Sequence, residues 1–319
     1  MKTSIKAAAK LGIRVIVLSV LLFVCFTVAS MVSGMAELPA SADPSAGGGH
    51  LQAGQATDVA AAVDAGASLR ALLIVCLLEA AVLTAVILRS RGSGWALVGA
   101  VFLAFFGLNT VVTQIESIVF LPQQLPQGMI SKMFVSGAIQ AGLFSPLAVL
   151  VLGKIRRGAM PNVPNQRPAM SRREWAWKLA AIAVAYVVLY LAFGYFVAWK
   201  NPAVQAYYGG TDPGSFFAQV ASIWKTTPWL FLFQAFRAML WVLFVLPVIQ
   251  MHKGQRWEVA LTVALLFTVW LSQLLIPNPY MPEAVARTHL IETLPSNLIF
   301  GGLVGWLLSH AKQGFHGIV

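Results

Sequence analysis

A small set of ionisable side chains lies inside long apolar stretches of this sequence. His289 and Glu292 are three residues apart in HLIETLPSNLIF, so on a helix they share one face. A histidine and a carboxylate in this arrangement can exchange a proton, or together bind one metal ion. Arg237, in WLFLFQAFRAML, can bind an anion or pair with a carboxylate. Two further ionisable side chains in such stretches are Glu79 and Glu116.

Neutral polar residues accompany these charges at helical spacings. Asn109, Thr113 and Glu116 follow an i, i+4, i+7 pattern, which predicts that they share one helical face. Gln234 lies three residues before Arg237 and is expected to point in the same direction.

An arginine inside a membrane needs a counter-charge, because an unpaired charge in hydrocarbon costs several kcal/mol, about 2.5 to 3.5 on insertion scales. We expect Glu116 or Glu292 to pair with Arg237. The sequence leaves two interpretations of such a pair open: it locks helix packing, or it holds an arginine that binds a solute. The candidate ligand-binding residues are Arg237, Glu116, Glu292, His289, Asn109, Gln234 and Glu79.

The His289–Glu292 pair falls short of a metal site. Di-iron bundles need two such pairs and extra carboxylates, and no second histidine is expected in the outer half of another span. The sequence contains no Walker A motif, no HExxH and no Gly-rich dinucleotide fingerprint. We therefore expect no metal and no cofactor, and no catalytic residue is assigned.

The composition identifies the medium that surrounds the apolar stretches. Hydrophobic residues make up 58% of the 319 residues, charged residues make up 10%, and the mean hydropathy is +0.76. A soluble domain carries about 25% charged residues. The partner is therefore the lipid bilayer. A net charge of +11 would suggest nucleic acid in a soluble protein, but here orientation in a membrane explains it and no nucleic-acid partner is expected.

Eight apolar stretches are long enough to cross a bilayer as helices, and none shows the two-residue alternation of barrel strands. The predicted fold is all-α, a polytopic integral membrane bundle of about eight transmembrane helices. The predicted spans are 12–34, 70–89, 95–118, 128–152, 175–198, 228–250, 257–276 and 288–309.

The positive charges predict the orientation of these spans. Sixteen of the 22 Lys and Arg residues lie on one side of the membrane and five on the other, and the richer side is expected to be cytoplasmic. Both termini are then cytoplasmic. The expected location is a cell membrane, either a plasma membrane or a bacterial inner membrane.

Three regions are expected along the chain. Residues 1–34 form an anchor helix, with a cleaved signal peptide as the alternative. Residues 35–69, rich in Ala, Gly and Ser, form a flexible extracytoplasmic linker, and residues 70–319 form a seven-helix membrane domain. An outer amphipathic helix is expected after the fifth span, capped by Thr211 or Asp212, on the membrane surface or as a lid.

Two further patterns concern depth and packing. At about 1.5 Å per residue, Arg237, Glu79 and Asn109 are predicted to lie equally deep in the outer half of the membrane. This suggests a polar cavity that opens outward. Gly301 and Gly305 form a GxxxG pattern, which lets a partner helix approach closely.

The function that fits this pattern is transport or binding of a small polar or anionic solute through the outward-facing cavity. Two alternatives stay open. The protein is a structural or assembly subunit without a ligand, or it is an intramembrane enzyme that acts on a lipid-linked substrate. In the last case Glu292 and His289 would be the acid and base.

Overall fold

The computed structural model describes residues 2–35, 64–121, 125–156 and 170–309. These residues form helices and no β-strand. Among them, eight helical segments are long and apolar enough to cross a membrane, so the predicted polytopic bundle is confirmed. Most of the predicted linker at 35–69 lies outside the described residues.

The helices are α1 (Lys2–Val32), α2 (Ala65–Leu88), α3 (Gly94–Phe105), α4 (Val112–Phe120), α5 (Met129–Val151), α6 (Arg172–Phe196), α7 (Pro202–Tyr208), α8 (Phe216–Thr226), α9 (Trp229–Met251), α10 (Arg256–Val269) and α11 (Glu283–Leu308). A π-helical segment, Phe106–Val111, joins α3 to α4 within one span. A 3₁₀ segment, Trp270–Leu275, extends α10.

Several spans begin earlier than predicted, and a local cause is visible in two of them. The second span begins at Ala65 rather than 70, because the Asp64 side chain accepts a hydrogen bond from the Gly66 N–H at 2.8 Å. The last span begins at Glu283 rather than 288, directly after Pro282, whose backbone is not helical. The first turns of both helices are polar or small, so a hydropathy window does not detect them.

The spans pack around a continuous apolar core. Helix α1 contacts α2 and α5, while α6 contacts α9 and α11. The third span contacts α5 and α9. Phe105 lies at the centre of this arrangement, since its ring stacks on Trp270 at 5.1 Å and meets Phe144 edge-on at 5.7 Å. Burial of these aromatic rings fixes how the spans that carry polar residues lie against one another.

The GxxxG pattern is used within the chain, between α11 and α10. A Cβ added to Gly301 would lie 2.8 Å from the Ala264 Cα, and one added to Gly305 would lie 2.7 Å from the Ala260 Cα. Both distances are shorter than van der Waals contact, so only glycine fits at these positions. The two helix backbones therefore touch along this stripe.

The connection between α6 and α9 contains two short helices, of which sequence patterns predicted only the second. Helix α8 is capped by Ser215, whose hydroxyl accepts from the Ala218 N–H, so the predicted cap at Thr211 or Asp212 is wrong. Asp212 instead accepts from the Gly214 N–H at 2.9 Å. No side chain of α8 is buried, as expected for a helix that lies on a membrane surface.

The opposite ends of the spans are held together by backbone hydrogen bonds. The Arg91 N–H donates to the Met251 carbonyl at 2.6 Å, and the Lys253 N–H donates to the Arg89 carbonyl at 2.9 Å. Burial and the nearby charge of Lys253 lower the pKa of Lys154. The α2–α3 connection is thus hydrogen-bonded to the α9–α10 connection on the predicted cytoplasmic side. Helices α7 and α8 lie on the predicted outer side.

Candidate functional site

Arg237 lies inside the bundle with two side-chain partners. Its Nη2 donates to Glu116 Oε2 at 2.6 Å, and its Nη1 donates to Gln234 Oε1 at 3.0 Å. The expectation that Arg237 pairs with Glu116 or Glu292 is therefore confirmed for Glu116. The bond to Gln234 follows from the three-residue spacing on α9. It orients the guanidinium toward the end of the third span.

Aromatic rings surround the arginine. The guanidinium carbon lies 5.8 Å from the centre of the Tyr186 ring and 5.9 Å from that of Phe233. Both distances are within the range of a cation–π contact. Tyr190 lies one helical turn beyond Tyr186 on α6. Helix α6 thus supplies an aromatic wall to the site, which the charge pattern of the sequence did not indicate.

Two buried donors beside Arg237 have no hydrogen-bond partner among the described residues. They are the Nε of Arg237 and the Nε2 of Gln234. A buried donor without an acceptor costs about 1 to 3 kcal/mol. The Nε1 of Trp241, one turn further along α9, is a third buried donor without a partner among the described residues. One face of α9 therefore has more donors than its neighbours satisfy.

His289 connects α7 to the last span. Its Nδ1 lies 2.8 Å from Glu292 Oε2, and its Nε2 lies 3.0 Å from the Tyr208 hydroxyl. This geometry suits a neutral imidazole that accepts from Tyr208 and donates to Glu292. His289 and Glu292 share a helical face, as their spacing predicted. Tyr208 belongs to α7, which sequence patterns missed.

Tyr208 lies close to both carboxylates of the site. Burial raises the pKa of Tyr208 above its ordinary value, and the negative charges of Glu116 and Glu292 raise it further. The Tyr208 hydroxyl therefore remains protonated and available as a donor. Gly194 on α6 faces Glu292, since an added Cβ would lie 3.7 Å from Glu292 Oε1. The Arg237 pair and the His289 pair consequently border the same region between α6, α9 and α11.

Glu79 and Asn109 belong to a different cluster. Gln273 Nε2 donates to Asn109 Oδ1 at 2.6 Å and lies 3.4 Å from Glu79 Oε1. These contacts join the second, third and seventh spans. Polar residues of the predicted outer half are thus gathered into two groups, not one.

The prediction that Asn109, Thr113 and Glu116 share one face is wrong. Asn109 points to Gln273, whereas Glu116 points to Arg237. Thr113 is exposed and Gln114 is buried. The cause is the π-helical segment Phe106–Val111, whose wider turn rotates everything after it relative to an α-helix. No pattern of apolar residues indicated this change of helix type.

Among the described residues, no group of three or more His, Cys, Asp and Glu side chains is placed to hold a metal ion. The carboxyl, amide and guanidinium groups of the two clusters instead suit small polar or ionic ligands. No protein-family model, no curated protein and no solved structure matches the chain. The function is therefore argued from the geometry of the two clusters alone.

Proposed function

We propose that the protein binds a small anionic solute between α6, α9 and α11 and moves it across the membrane. Arg237 binds the negative group of the solute. The observation that carries this proposal is the asymmetry of its ion pair: the Arg237 side chain is 5% exposed, and that of Glu116 is 43% exposed. An exposed carboxylate within a membrane span is stable only where water or headgroups reach it. That supports an opening at Glu116.

In this proposal Glu116 occupies the position that the solute takes. A carboxylate with room to rotate outward can leave the guanidinium, and an incoming anion then replaces it with no net change in the charge around Arg237. The buried arginine is never left without a counter-charge, which would be costly. Such an exchange suits repeated binding and release.

The unpartnered donors support an oxygen ligand. An oxygen of the solute placed beside Arg237 Nε and Gln234 Nε2 would satisfy two buried N–H groups that have no acceptor among the described residues. The neighbouring rings of Tyr186 and Phe233 favour a solute with an apolar part next to its charged group. The solute class proposed is therefore a small organic anion, such as a carboxylate.

His289 acts as a gate in this proposal. It links Tyr208 on the connection between α6 and α9 to Glu292 on α11. When the bond between Tyr208 and His289 breaks, α7 is freed and the path to Arg237 opens from the predicted outer side.

The test is thermal unfolding of the purified protein in lipid nanodiscs, with acetate, benzoate, phosphate or chloride added at constant sodium concentration. We expect an organic anion to stabilise the protein, by about 2.7 kcal/mol at a concentration of about 100 times Kd. Arg237→Gln should abolish this gain, and Glu116→Gln should strengthen binding because it removes a competing charge. The matched control is Arg287→Gln, since Arg287 is exposed on the same predicted side.

A structural or assembly role is the second candidate, and one observation favours it. The Arg237–Glu116 bond and the Tyr208–His289–Glu292 contacts pair the charged groups with one another inside the chain. In that case no anion would stabilise the wild type, and Arg237→Gln would lower the unfolding temperature without affecting any ligand response. An equal gain from anions in the wild type and in Arg237→Gln would also overturn the proposed site.

A further inference from the structure

A second cluster, formed by Glu79, Asn109 and Gln273, is chemically unlike the Arg237 site. The Glu79 side chain is buried, at 1% exposure, and lies in the interior of α2. None of the ion pairs between described residues involves it. Within the part of the chain that the structure describes, its one side-chain hydrogen bond is the long contact of 3.4 Å from Gln273. A carboxylate in hydrocarbon without a counter-charge is expensive, so Glu79 either carries a proton or pairs with a cation that the cluster binds in place of that proton.

The backbone is irregular where this cluster forms. Asn109 lies in the π-helical segment and Gln273 in the 3₁₀ segment, and the two side chains meet at 2.6 Å. Changes of helix type shift backbone carbonyls away from their usual i+4 donors; here the Val112 N–H donates to the Gly107 carbonyl. Such segments inside a membrane are tolerated where they are buried in protein or line a cavity, and π-helical turns are frequent at functional sites.

The available ligand atoms are oxygens. Glu79 provides a carboxylate and Asn109 an amide carbonyl, whereas Gln273 faces both with its Nε2 and provides its carbonyl once its amide turns over. The cluster contains no thiolate or imidazole. Oxygen ligands of this kind suit a hard cation. The single negative charge matches a single positive charge, whereas a divalent ion would leave an excess charge in the membrane interior. We propose that Glu79, Asn109 and Gln273 form a binding site for a sodium ion.

This site is independent of the proposed anion site. It uses side chains of the second, third and seventh spans, and the anion site uses Arg237 on the sixth span. Sodium enters between the carboxylate and the two amides, which rotate to direct their oxygens to it. In this arrangement the ion contacts α2, the π-helical segment and the 3₁₀ segment at once. Its binding therefore stabilises the packing of three spans.

The experiment measures how sodium affects the modification of Glu79 by dicyclohexylcarbodiimide, a reagent for protonated carboxyl groups in apolar surroundings. The purified full chain is treated in NaCl, KCl or choline chloride at equal ionic strength, and labelled peptides are quantified by mass spectrometry. We expect sodium to slow labelling of Glu79 by the factor 1 + [Na⁺]/Kd, which is roughly tenfold at about ten times Kd. Glu79→Gln should remove this label, whereas Glu116→Gln should retain it.

Thermal unfolding provides a second readout in the same salts. NaCl should raise the unfolding temperature relative to choline chloride in the wild type, and Asn109→Leu should lose that difference because it lacks the oxygen. Equal labelling rates at Glu79 in NaCl and choline chloride would overturn the proposal. If Glu79 is not labelled in any salt, equal unfolding temperatures in the two salts would overturn it instead. Neither result depends on the response to anions at Arg237.

Discussion

The Arg237 guanidinium donates to the Glu116 carboxylate across 2.6 Å, between two side chains that are 121 residues apart in the chain. This bond joins α9 to α4, at the end of the third span. Its two members are not equivalent, because Arg237 is buried and Glu116 is partly exposed. Removal of the Arg237 side chain should therefore lower the free energy of unfolding by a different amount from removal of the Glu116 side chain.

Glu116→Leu should destabilise the protein more than Arg237→Met. The first change leaves a buried guanidinium with Gln234 as its remaining acceptor, and an uncompensated buried charge costs about 3 to 5 kcal/mol. The second change leaves a carboxylate that can turn toward water, for which a loss of about 1 kcal/mol is typical. The measurement is thermal or denaturant unfolding in detergent.

Combining the two changes should recover part of the loss caused by Glu116→Leu, because no buried charge then remains. The matched controls are Glu283→Leu and Arg287→Met, which remove exposed charges at the start of α11. These should change stability by about 0.5 kcal/mol or less. A larger loss in Arg237→Met than in Glu116→Leu would show that the asymmetry of exposure does not govern this pair.

Much of the fold was predictable because hydropathy reports directly on contact with lipid. The eight spans follow from length and composition, and the Gly301–Gly305 contact follows from a four-residue spacing. The pairing of Arg237 with a carboxylate was predictable for a similar reason, since an arginine in hydrocarbon must be neutralised. The choice between Glu116 and Glu292 depended on helix rotation, which composition does not encode.

What sequence patterns missed depends on local backbone geometry. The π-helical segment turns Asn109 and Glu116 to different clusters, although an α-helical period placed them together. Helix α7 is only seven residues long, and it is set by an Asn201 cap and Pro202 at its start. It lies in a connection between two spans, and its sequence has no periodic pattern of apolar residues. As a result Tyr208, the partner of His289, was not anticipated.

Gly305→Ala should destabilise the bundle, and Gly302→Ala should not. An added Cβ at Gly305 would lie 2.7 Å from the Ala260 Cα, a backbone atom that cannot move alone, while at Gly302 nothing lies within 4 Å. Overpacking of this kind typically costs about 1 to 3 kcal/mol. Alanine in a helix is otherwise favourable, so Gly302→Ala should be neutral or slightly stabilising. The measurement compares the unfolding temperatures of the two variants in detergent. An equal decrease in both would contradict the close contact of α10 and α11.

Tyr208→Phe should speed the binding of an organic anion, and Tyr207→Phe should not. Each change removes one hydroxyl hydrogen bond, from Tyr208 to His289 or from Tyr207 to the Tyr280 carbonyl at 2.8 Å. Both should cost about 1 kcal/mol in stability. Because only the first change releases α7 from His289, the association rate of the anion should rise in Tyr208→Phe alone. Equal association rates for the two variants would exclude His289 as the gate.

The predicted orientation can be tested with single cysteines at two exposed lysines. Lys225 lies at the end of α8, and Lys253 lies between α9 and α10, where its backbone N–H donates to Arg89. Lys225→Cys should react with a membrane-impermeant maleimide on intact cells, because the positive charges place α8 outside. Lys253→Cys should react only after the membrane is permeabilised.

Cys25 and Cys76 are buried free thiols, so a chain without added cysteines serves as the background control for this labelling. Buried thiols in apolar surroundings react slowly, and their signal should be low on intact cells. The opposite labelling pattern would place α7, α8 and the opening at Glu116 on the cytoplasmic side. The anion site would then be reached from within the cell, and its geometry would be unchanged.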